Sequence, residues 1–107
     1  MLCGFIRHYE AMLDQRVERL QRALSAQDHE DWMDAVLSLK TSSAMAGAQA
    51  LSTLAARLQE DFARRPPAPA HWPPMERLAE IMEKLRRLAA ETARQLRVFV
   101  QQVAGVI

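Results

Sequence analysis

Cysteine is almost missing from this 107-residue chain: Cys3 stands alone, which excludes an intrachain disulfide and a cysteine metal cluster. A fold that leans on no disulfide suits a reducing cytoplasm. Only three glycines occur, and none belongs to a phosphate-binding loop or a G-x-S-x-G nucleophile elbow. Long apolar runs are absent as well. No segment approaches the ~20 residues of a membrane span, and "MLCGFIRHYE" becomes charged too soon for a signal peptide, so a cytoplasmic protein or a module of one is expected. Neither charge sign dominates: 14 Lys and Arg face 13 Asp and Glu, interspersed rather than striped, so nucleic acid is not an expected partner. The three histidines, His8, His29 and His71, have no helical ligand spacing between them and read as surface residues. No enzyme, metal or cofactor signature remains.

What the chain does have is helical periodicity almost everywhere and no run that alternates like a strand. One all-α domain follows, spanning residues 1–107. A first helix over 5–27 steps along Ile6, Tyr9, Leu13, Val17, Leu20 and Leu24, widened by Phe5, Met12 and Ala23. Asp28 is placed to cap a second helix over 28–46, which carries Trp32, Val36, Leu39, Ser43 and Ala46 on one face. Gly47 ends it. A third helix over 48–64 buries Leu51, Leu54, Leu58 and Phe62, and all five prolines then fall in "PPAPAHWPP", a semi-rigid linker over 65–74. The last helix, 73–103, repeats Met75, Leu78, Met82, Leu85, Ala89, Thr92, Leu96, Phe99 and Val103 with heptad regularity. Four helices with short turns predict an antiparallel four-helix bundle.

One stretch stands apart. "AVLSLKTSSAMAGAQAL" has no charge after Lys40 and almost no bulk, and it resembles the signature of histidine-containing phosphotransfer domains, His-x-Leu-Lys-Gly-Ser-(small)-x-x-x-Gly-Ala. Leu39 and Lys40 fall on the family's Leu-Lys, Ser42 on its Ser, and Gly47 and Ala48 on its Gly-Ala, without a gap. The flanking helices resemble the family's from Phe5 to Phe62, whereas the final helix matches in type alone. The resemblance implies a signalling module of the bacterial two-component phosphorelay type, with receiver domains or histidine kinases as partners. In this register the phosphoacceptor histidine falls on Leu37 and the following glycine on Thr41. An isobutyl group has no lone pair to attack a phosphoryl group, so Leu37 cannot carry one. The segment "RHYEAMLDQR" does not fit a kinase dimerisation helix either, because Tyr9 rather than an acid follows His8 and no proline follows within the helix.

With Val36 and Leu39 facing the core, the 100° step per residue puts Leu37 on a flank with Met33, Lys40, Thr41 and Ala44. This flank is the candidate partner-binding surface. The leading expectation is a phosphotransfer-like module that docks a receiver or kinase without relaying phosphate. Two alternatives stand beside it: a phosphorelay protein using a non-standard histidine, His8 or His29, and a structural module whose apolar flank joins a homodimer.

Overall fold

The computed structural model describes residues 2–66 and 68–106. Its elements are α1 (Leu2–Ser25), α2 (His29–Met45), α3 (Gln49–Ala63) and α4 (Met75–Val106), with a short 3-10 turn at Pro69–His71 between α3 and α4. No strand occurs among the described residues. Side-chain bonds give the directions of the helices. Arg19 meets Asp31 and Tyr9 meets Ser43 across α1 and α2, His29 meets Phe62 across α2 and α3, and Gln21 meets Arg86 while Glu10 meets Arg97 across α1 and α4. Each pair runs antiparallel, and the molecule is an up-down-up-down four-helix bundle.

The two tight turns are built alike. At the end of α1 the Asp28 amide donates to the Ala23 carbonyl and the Gln27 amide to the Leu24 carbonyl; at the end of α2, Ala48 donates to Ser43 and Gly47 to Ala44. Both closures need one left-handed residue after the helix. Gly47 supplies it at φ 77° at little steric cost, whereas Gln27 adopts φ 53° with a side chain, a strain of about 1 kcal/mol. The Asp28 carboxylate then caps α2 by accepting from the Asp31 amide at 3.0 Å.

Leu13, Leu20, Trp32, Val36, Leu39, Leu51, Phe62 and Leu85 form the heart of the core, each at most 1 % exposed. Transfer of each such side chain out of water contributes about 1.5–3 kcal/mol. On α3, Ala55 is fully buried where Leu54 is only half-buried. Small Ala55 lets helices approach closely at that level.

Three expectations need correction. α1 runs from Leu2 to Ser25 and α4 from Met75 to Val106, rather than over 5–27 and 73–103. The heptad stripe of α4 fails at both ends: Met75 is 81 % and Phe99 40 % exposed, while Val100, outside the repeat, is buried. An α-helix drifts about 20° per heptad against a strict seven-residue repeat, so over 32 residues the buried face moves from one set of positions to the next. The proline segment is also more than a linker. Trp72 is 7 % exposed and packs edge-on against Phe62 with ring centroids 5.4 Å apart, and at 6.3 Å from Trp32. It plugs the end of the bundle.

Candidate functional site

The outer strip of α2 follows from the same helical geometry that builds the core. Because Trp32, Ala35, Val36, Leu39 and Ser43 are buried, the opposite face must carry Glu30, Asp34, Leu37, Thr41 and Ala44, and all five are exposed. Leu37, 44 % exposed, lies in the middle of that strip. Met33 and Lys40 sit half-buried on its α3 side. The fold thus brings Met33, Leu37, Lys40, Thr41 and Ala44 onto one continuous surface.

Lys40 does not extend freely into solvent. Its Nζ donates to Gln59 Oε1 of α3 at 2.6 Å, and its backbone carbonyl accepts from Ser52 Oγ at 3.2 Å. The positive charge is therefore held over the α2–α3 groove. On the other side of Leu37, Arg16 Nη1 donates to Ser38 Oγ at 2.8 Å, at the edge of an α1–α2 groove of about 280 Å³ that also contains Arg19 and Arg22. Arg19 pairs with Asp31 at 2.8 Å. Gln59 and Arg16 were not foreseen as parts of this surface. Helical periodicity within one segment carries no signal for a polar contact made between two helices.

Below the surface the small residues of the motif have separate tasks. Ser42 Oγ donates to the Ser38 carbonyl at 2.7 Å, which ties it to its own helix. Ser43 is fully buried and shares a 2.8 Å hydrogen bond with Tyr9 Oη of α1. Burial pushes the Tyr9 phenol above its ordinary range, a shift opposed by the Ser43 bond and by the Arg16 charge.

The histidines are scattered. His8 is exposed on α1 and His71 is exposed in the 3-10 turn. His29 departs from the surface role expected of it: it is half-buried, its Nε2 lies 3.2 Å from the Phe62 carbonyl, and its ring meets Trp72 edge-on at 6.3 Å. A carbonyl only accepts, so the ring proton sits on Nε2 and His29 clamps α2 to the end of α3. None of the three is brought to the Leu37 strip. Among the described residues no group of three or more His, Cys, Asp or Glu side chains is placed to hold a metal ion, and no helix is long and apolar enough to cross a membrane.

The outward strip of α2 and the tight Gly47–Ala48 turn that follows it are thus set on a four-helix bundle. The chain belongs to the Hpt domain family, whose model matches residues 4–103. Hpt domains act in phosphorelays as phosphotransfer carriers rather than catalysts, and interact there with receiver domains and histidine kinases. No curated protein and no solved structure matches the chain.

Proposed function

We propose that this chain is an Hpt-fold docking module that binds a receiver domain in the cytoplasm and does not carry phosphate. The observation that carries this reading is Leu37: an apolar, half-exposed side chain occupies the centre of the outer α2 strip, at the position where the family's signature has its phosphoacceptor histidine. A histidine nucleophile needs an imidazole nitrogen free to attack, and the isobutyl group offers none. Thr41 adds β-branched bulk one turn further on, where the signature has glycine.

What remains is suited to binding. Met33, Leu37 and Ala44 supply apolar surface, and Lys40 supplies one positive charge held in place by Gln59. Such a face competes with active phosphotransfer proteins for the same receiver surface and so restrains a relay without joining it. A relay through His29 is disfavoured by position. It lies eight residues before Leu37, about 12 Å along the helix, and its Nε2 is committed to the Phe62 carbonyl.

The test is binding to a panel of receiver domains measured by calorimetry. Leu37→Glu and Lys40→Glu are each expected to weaken a complex roughly tenfold or more, because each sets a carboxylate against a contact built for apolar or cationic chemistry. Unchanged affinity in both variants rules this face out. Acid-labile phosphate accepted by the unaltered chain from a phosphorylated receiver overturns the non-carrier reading.

A further inference from the structure

A groove of about 490 Å³ runs between the last turns of α1 and the first turns of α4. Its floor is the core itself: Leu24, Leu78 and Met82 are buried side chains whose outer atoms line it. The rim is low, because Ser25 of α1 and Ala79 of α4 are short and exposed where longer side chains would cover that floor. Met75 stands at one end of the groove, 81 % exposed, the most exposed large apolar side chain among the described residues. The volume lies inside the range of about 300–1,000 Å³ usual for small-molecule sites.

Charge is confined to the other end. Arg86 is the one charged residue of the lining, eleven residues from Met75 and so about 16 Å away along α4. Its Nη2 donates to Gln21 Oε1 of α1 at 2.8 Å, and Gln21 Nε2 in turn donates to Ser25 Oγ at 3.2 Å. This bridge holds the guanidinium at the groove and leaves further N–H donors of its fork available. No carboxylate neutralises it among the described residues, since the nearby Glu83 pairs with Arg87 at 3.2 Å and no ion pair includes Arg86.

We propose that this groove binds a free monocarboxylate with an unbranched apolar tail of about ten to twelve carbons, its head on Arg86 and its tail running over Leu78 and Met82 toward Met75. A guanidinium fork matches a carboxylate, and one cation at the end of an apolar trough selects a ligand with one anionic head. An acidic protein segment fits less well. A helix about 10 Å wide and 16 Å long fills roughly 1,250 Å³, so most of it stays outside the groove. Met75 and Met82 also suit tails of different length, because an unbranched thioether chain rearranges around what it contacts. The groove lies on the α1–α4 flank, apart from the Leu37 strip, and does not depend on receiver docking.

Calorimetric titration of the unaltered chain with octanoate, decanoate and dodecanoate, each below its micelle-forming concentration, tests this. Affinity is expected to rise about fourfold per added methylene. In NMR spectra the methyl signals of Met75 and Met82 are expected to move while those of Met33 and Met45 stay. Decylammonium, with the opposite head charge, is expected to bind roughly tenfold or more weakly than decanoate, and Arg86→Gln to remove that preference by weakening decanoate. Ala79→Glu is expected to abolish decanoate binding, and Leu37→Glu to leave it unchanged. No heat and no methyl shift with any of the three acids overturns the proposal, as does affinity independent of tail length or of head charge. Binding to vesicles of anionic phospholipid or to an acidic helical peptide, with none to the free acids, overturns it as well.

Discussion

Tyr9 and Ser43 show how much rests on a single polar contact in this core. Both are buried, at 2 % and 0 % exposure, and their hydroxyls are 2.8 Å apart. Tyr9→Phe removes one partner and leaves the Ser43 hydroxyl buried, so a loss of about 1–2 kcal/mol is expected in urea unfolding. Replacing both, with Phe and Ala, is expected to cost less than the sum of the single changes, since no orphan group then remains. The same pair sets an alkaline limit. The phenol's folded pKa is raised by burial above the value of 10.0 it has when unfolded, so this group's stability is fully present below pH 10 and is lost as pH rises from there through the folded value. Tyr9 is the sole tyrosine, so tyrosinate absorbance reports it directly. The Tyr9→Phe variant is expected to show a shallower loss of stability above pH 10.

Among the elements, the proline segment contributes most beyond its apparent role. Trp72 closes the end of the bundle against Trp32, Phe62 and His29, and the Arg65 guanidinium donates to the His71 carbonyl at 3.2 Å. Trp72→Ala is expected to destabilise the chain by about 3 kcal/mol, the range found for removing a large aromatic from a packed site. It is also expected to raise amide exchange at Arg65, Ala70 and His71 while leaving the Leu37 strip unaffected; equal protection with and without the indole counts against a plug. Sequence periodicity could not locate this contact. A tryptophan among prolines belongs to no repeat, and only the hairpin's open end gives it a place to insert. Two helix-end features were legible, by contrast, because capping is local: Asp28 caps α2, and Gly47 adopts the left-handed turn. Gln27 was not, since nothing in a glutamine announces φ 53°.

For the whole molecule, the bundle is separable from the chemistry at its surface. Leu37 and Thr41 are both exposed, so exchanging them changes no core contact. Leu37→His combined with Thr41→Gly is expected to leave the fold intact, with about 1 kcal/mol lost to the glycine inside a helix, and to create a histidine that accepts phosphate from receivers. Folded double variant with no phosphate uptake from any receiver tested counts against an inherited docking surface.

The sequence by itself determined the all-α class, the core stripes of α1 and α2 and the outward strip with Leu37 at its centre, because helical periodicity is a local property that survives in the order of residues. Only the tertiary structure decided what depends on distance between segments. It tied Lys40 to Gln59, brought Arg16 beside Ser38 and bound His29 to the end of α3. Contacts of this kind arise from helix lengths and crossings in space, and the order of residues along one helix does not encode them.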